Sequence, residues 1–442
     1  MTTLYTHARV EGRRRLGKSS ILNLECLILF IAPLTQAVEV SLVGRLMLTE
    51  IIFLIALPFV LIKYGNAVFS RLPLTFLVLG LAWFASAVIT DIIREIEFED
   101  WVRGWVRISF ILVSFSVIYL LVNLDVRRLC IFYAGNSIGL LISVGFFPSM
   151  PAEIDPWKFG IGFALNCLLV SAATFWGRRG LGRVAYFSVP MVAMVSLLLN
   201  ARSAFALSIA AWVASLIFGV KSGVRRKISV GSVFALGAAA CVLLAIIVGS
   251  YNYMAASGAL GEEAQKKNEF QAQSDLGLLL GGRSEALVSI QAIMDSPLIG
   301  HGSWAKNIDY AYMLQIIRMQ AGAFFGSTEL ASELIPSHSY LMGSWVEAGL
   351  MGGVLWIWVL VLCARAMLAM YRAPSIATPL ATFVVLALMW DIPFSPLGAS
   401  ARFTAPAAIC AAMLAINIAL CNEKRSKFGG WRRDRRGFTA FL

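Results

Sequence analysis

The 442-residue chain is 59% hydrophobic and only 14% charged, with a mean hydropathy of +0.77. That composition excludes a water-soluble globular domain. The formal net charge of +12 sits in short stretches between apolar runs, so no basic stripe interleaved with aromatics marks a nucleic-acid partner.

Along the chain, residues 1–20 form a basic tail carrying Arg9, Arg13, Arg14, Arg15 and Lys18. Apolar runs long enough to cross a bilayer, which takes about 20 residues, follow at 21–38, 42–62, 74–90, 106–122, 128–147, 160–176, 184–199, 203–220 and 229–250. The segment 251–337 has no such run and is too long for a simple connector. Three more runs, at 338–370, 376–390 and 403–421, lead to a second basic tail at 422–442. The fold class is therefore an all-α integral membrane protein of about 12 spans, with one large, partly helical loop between spans nine and ten.

Lys and Arg concentrate in the two tails and in alternate loops, such as Lys221, Arg225, Arg226 and Lys227. By the positive-inside rule these lie in the cytoplasm. Both termini are then cytoplasmic, the loop 251–337 lies outside, and the tails rest on anionic lipid. The first apolar run lacks a small-x-small cleavage site and reads as a retained span.

Within the loop, Ser284 to Asp295 has the period of an amphipathic helix, with Leu287, Ile290 and Met294 on one face. Pro297 ends it, Gly300 and Gly302 make a turn, and Tyr310 to Arg318 reads as a second short helix. These elements form a cap over the outer membrane face. All seven cysteines fall in or beside spans and read as packing residues. No metal-ligand spacing, nucleotide-binding loop or cofactor motif is present.

Titratable groups at the outer face are the candidates for chemistry. His338 is one of three histidines in the chain and stands at the mouth of a span, where imidazole suits proton transfer near neutrality. Arg45, Arg107, Arg202 and Arg402 all fall at or near outward helix N-termini. There the helix dipole disfavours a cation and an anion would explain it. Arg283 follows Gly281-Gly282 and opens the first loop helix. Glu347 lies about two and a half helical turns beyond His338, on the opposite face, so the two do not form a dyad. Glu347 and Glu50 are buried acids with no partner evident in the sequence.

Three segments resemble the bacterial O-antigen ligase/polymerase family of polytopic membrane glycosyltransferases. They are Asn200-Ala-Arg202-Ser203; Gly282-Arg283 with Pro297-Leu-Ile-Gly300-His-Gly302; and Pro336-Ser-His338-Ser-Tyr340-Leu341 with Glu347-Ala-Gly349-Leu-Met-Gly352. The chain departs from that family at Ser339, commonly Asn there, and at Leu287, often an aromatic. The resemblance implies a metal- and cofactor-independent transfer of glycan from an undecaprenyl-diphosphate carrier, in the bacterial cytoplasmic membrane, to a glycan or lipid acceptor. It implies His338 as general base or hydrogen-bond partner of the acceptor hydroxyl, with Arg202 and Arg283 on the diphosphate. Arg45, Arg107, Arg402 and Tyr340 are further substrate-binding candidates. A repeat-unit polymerase is favoured over a ligase that transfers to lipid A core, because the spread of arginines suits two lipid diphosphates. A secondary transporter and a non-catalytic glycan-binding subunit are the competing classes.

Overall fold

The computed structural model describes residues 23–41, 44–177, 180–219, 252–258, 284–320 and 333–433, with isolated positions between 231 and 265, and side chains as far as Asn422. The described helices are α1 (Leu24–Leu34), α2 (Leu48–Tyr64), α3 (Arg71–Ile93), α4 (Phe98–Val122), α5 (Val126–Phe146), α6 (Met150–Ile154), α7 (Gly162–Trp176), α8 (Leu181–Leu198), α9 (Arg202–Gly219), α10 (Ser284–Asp295), α11 (Ile308–Gln320), α12 (Tyr340–Ala348), α13 (Leu350–Arg372), α14 (Thr378–Phe394) and α15 (Ala401–Arg433). Among the described residues, nine helices are long and apolar enough to span a membrane, and two shorter apolar helices accompany them. The protein is an all-α, membrane-embedded bundle. The expected span at 229–250 lies almost wholly outside the described residues.

α15 is the centre of the bundle. Of its apolar stretch 72% is buried inside the protein, against 28% for α2 and α3. Its buried face is rich in alanine, at 405, 407, 408, 411, 412 and 415, which lets α4, α13 and α14 approach closely. Without a hydrophobic drive between helices in lipid, such small-residue contacts supply the packing.

Three boundaries differ from the sequence expectation. The second apolar run opens on a hairpin, β1 (Glu39–Ser41) paired antiparallel with β2 (Arg45–Met47), and its helix begins only at Leu48. Glu50 then accepts the Met47 N–H at 2.8 Å and closes that helix end. The fourth span begins at Phe98, not 106. Glu99 and Asp100 in its first turn favour the dipole, so the helix runs on past the apolar stretch. Arg107 consequently lies inside α4, well away from its N-terminus.

The long tenth run is broken at Gly349, whose φ of +64° separates α12 from α13. A Cβ there would sit 2.1 Å from the Leu298 carbonyl oxygen. The cap segment fills the break. His301 N–H donates to Val346 O at 2.7 Å, and Gly302 N–H to Glu347 O at 3.0 Å. Ser86 Oγ donates to Ala348 O at 2.8 Å. Carbonyls released by the interruption are thus satisfied, as a membrane setting demands. We expect Gly349→Ala to destabilise this seat by about 1–3 kcal/mol. Amide hydrogen exchange at His301 and Gly302 should accelerate; unchanged protection would refute the seating role.

The cap helices α10 and α11 form where expected, but the buried face of α10 is not the expected one. Val288, Ser289 and Ala292 face inward, while Ile290 and Met294 are exposed at 44% and 68%. Small residues let α10 lie close against α12, forming a cluster with Ala305, Tyr310, Leu314 and Val346. Of the larger apolar side chains, Ile290 and Met294 are turned away, while Ile293 packs partly buried against the cluster.

Candidate functional site

The cap is clipped onto the end of α3 and α4. Asp91 accepts from Ser303 N–H at 2.6 Å, Ser303 Oγ at 2.7 Å and Trp105 Nε1 at 2.7 Å. Thr90 Oγ1 donates to Ile299 O, and Arg94 to Gly300 O at 3.1 Å and Ser296 Oγ at 2.8 Å. Lys306 pairs with Asp100, which holds the Lys306 ammonium above the usual lysine range. Within the cap, burial and a hydrogen bond to Asp295 push the Tyr310 phenol up to about 12.

This frame fixes the segment before α12. Ile335 N–H donates to Ala305 O at 2.9 Å, and Asn307 N–H to Glu333 O at 2.8 Å. Ser289 Oγ donates to Pro336 O at 2.8 Å. Ser339 then caps α12, accepting from Met342 N–H at 3.0 Å, and donates to Ile392 O at 2.8 Å. A hydroxyl both accepts and donates, which accounts for Ser339 at this point. His338, between these anchors, is exposed, and among the described residues nothing hydrogen-bonds its ring. The backbone is held while the imidazole faces outward. Tyr340 is buried, its ring 5.1 Å from that of Trp356.

The arginines divide into two groups. Arg402 Nε lies 2.8 Å from Glu50 Oε1, but off the N–H direction, which goes to Ala399 O at 3.2 Å. The contact is one of charge more than of hydrogen bonding. Arg402 Nη2 also donates to Arg45 O at 2.6 Å, tying α15 to β2. Arg107 pairs with Glu347 and lies over the Trp304 ring, 5.0 Å from its centroid. Glu50 is fully buried, and the side chains of Arg402, Arg107 and Glu347 are 9%, 11% and 17% exposed. Removing either partner of such a pair leaves a buried charge. These four residues therefore fasten α2 to α15 and α4 to α12. Sequence spacing identified both acids as needing partners, but it did not name them. Trp304, held at a φ of +53°, carried no sequence signal at all.

Arg45 is largely exposed, 3.9 Å from Glu39. Arg202 is the first residue of α9, half-buried, with Nε 3.4 Å from Asn200 Oδ1. Phe218 at the other end of α9 packs on Tyr371 at the end of α13, so Arg202 lies at the same end of the bundle as α12 and His338. Arg283 lies outside the described residues; Ser284, which follows it, is buried and receives a hydrogen bond from Arg318 at 3.3 Å. His338 and Arg202 thus lie at the same end of the bundle, where Arg107 and Arg402 are each paired with a largely buried carboxylate. Among the described residues no cluster of three or more His, Cys, Asp or Glu side chains gathers as a metal site. No family model matches the chain, and no curated protein does.

Proposed function

We propose that the protein is a membrane glycosyltransferase of the bacterial cytoplasmic membrane. It takes glycan from an undecaprenyl-diphosphate carrier at the outer face, as a repeat-unit polymerase. The observation that carries this reading is the exposed imidazole of His338 on a backbone anchored from the cap, α12 and α14. General acid–base catalysis needs such a positioned and accessible group.

The reaction forms a bond from an acceptor hydroxyl oxygen to the donor's anomeric carbon and breaks the bond from that carbon to the diphosphate. The hydroxyl proton passes to His338, and the diphosphate departs with the bonding electrons. Negative charge grows on the leaving group, where Arg202 and Arg283 donate hydrogen bonds to it. Tyr340, buried against the Trp356 ring, anchors the first turn of the helix that follows His338. Polyprenyl carriers reside in the bilayer, so a site at the end of the bundle, beside the cap, suits them.

A discontinuous helix such as α12–α13 is also a device of secondary transporters. Here the interruption is filled by cap backbone from Leu298 to Gly302, so the chain itself occupies the break. Transfer to a lipid A core uses the same donor chemistry and is separated by the acceptor. Deleting the gene and sizing the lipid-linked and surface glycans tests the proposal. Single repeat units, on the carrier or a final acceptor, are expected. Long polymer stranded on the carrier would favour a ligase instead, and an unchanged profile would overturn both.

A further inference from the structure

At the far end of the bundle, away from the cap, the turn from α4 to α5 and the adjoining part of α15 enclose a cavity of about 450 Å³. That size is in the range of small-molecule sites. The turn is held in an uncommon shape, with Asn123 and Leu124 at φ of 43° and 60°, conformations that ordinary residues adopt rarely. Asp125 and Arg127 both line the cavity and both are exposed.

Asp125 accepts the backbone N–H of Arg127 at 2.8 Å as the cap of α5. Among the described residues, no ion pair joins the Arg127 guanidinium to Asp125 or to another acid, and none joins Asp125 to another cation. Asn417 and Asn422 add neutral polar groups, and Leu124 and Ile418 an apolar wall. A cation and an anion two residues apart, with no ion pair to either among the described residues, beside apolar side chains at the ends of several spans, match a zwitterionic ligand with an apolar part. Such a ligand is a phosphate diester linked to an ammonium, carried on an acyl chain. A headgroup with net negative charge meets Asp125 unfavourably, and a lone cation meets Arg127.

We infer that this cavity is a binding site for a zwitterionic phospholipid of the phosphatidylethanolamine class. Arg127 contacts the phosphate, Asp125 contacts the ammonium, and the acyl chain leaves along Leu124 and Ile418.

The test uses the full chain, delipidated in detergent and titrated by native mass spectrometry with phosphatidylethanolamine and phosphatidylglycerol of matched acyl chains. The wild type should bind the ethanolamine lipid about tenfold more tightly, the scale of one charge-assisted hydrogen bond. Asp125→Asn keeps the helix cap, since Asn caps as well as Asp, and should abolish that preference. Arg127→Gln should weaken both lipids by about tenfold. Equal binding of the two lipids by the wild type would overturn the inference, as would indifference to both substitutions. Equally tight binding of soluble phosphoethanolamine would overturn the assignment to a membrane lipid.

Discussion

Replacing His338 with alanine is expected to lower glycan transfer by about 10²–10⁴-fold while leaving the protein folded and inserted. Both halves of this expectation come from the same geometry. The ring is exposed and no described group hydrogen-bonds it, so its removal breaks no internal contact. Backbone position is set instead by Ser289 on Pro336 and by Ser339 on Ile392 and Met342. The neighbouring Ser339→Ala makes the contrasting control. It removes a helix cap worth about 0.5–2 kcal/mol and leaves the Ile392 carbonyl without its buried donor. That variant should lose stability, and lose activity only through displacement of His338. Transfer is measured with purified protein in proteoliposomes and a lipid-diphosphate glycan donor, alongside thermal unfolding of each variant. Robust transfer by the folded His338→Ala protein would remove the general-base role.

How far the sequence revealed this arrangement depends on the range of the interactions involved. Local signals were reliable. Ser284–Asp295 was legible from its helical period and from Pro297, and the Gly300–Gly302 turn from glycines that adopt φ of +89° and +96°. Apolar runs marked the spans, but they did not mark helix ends where polar residues extend the helix, so α4 starts earlier than its apolar stretch and takes Arg107 inside. Glycine 349 interrupts a run that looks continuous, because the residues that make the interruption favourable are Leu298 to Gly302 in the cap, about fifty positions away. The face of α10 was misread for a related reason. Periodicity assigns the largest apolar side chains to the core, whereas Val288 and Ala292 cluster with Val346 of α12 and Ser289 bonds to Pro336 just before it, their small size allowing close approach. Four arginines looked alike in the sequence as cations against helix dipoles. Arg107 and Arg402 each meet a carboxylate far away in the sequence, and the Arg107–Glu347 contact spans 240 positions, beyond any local rule.

That contact supports the second large effect. Glu347→Met should destabilise the protein by about 3–5 kcal/mol, because it strands the Arg107 charge in a poorly hydrated site. Arg107→Met should cost a similar amount by stranding Glu347. The double replacement of both residues by methionine should recover most of the loss, since apolar substitutes for a whole buried pair are often neutral or better. A flexible thioether also keeps favourable contact with the Trp304 ring. A double-mutant cycle on unfolding in detergent measures the coupling, and additive losses would show that the pair contributes nothing as a unit. The same double variant separates two roles for Arg107. As a fastening between α4 and α12 it requires only that the helices stay together, and the stable double variant should then retain glycan transfer. As a contact to an anionic substrate it requires the guanidinium itself, and the double variant should then be stable and inactive. The existing counter-charge at Glu347 favours the first outcome: a guanidinium already matched by a carboxylate has little charge left to offer a phosphate. A folded but inactive double variant would return Arg107 to the substrate and would give the protein a second anion site at the cap end of the bundle.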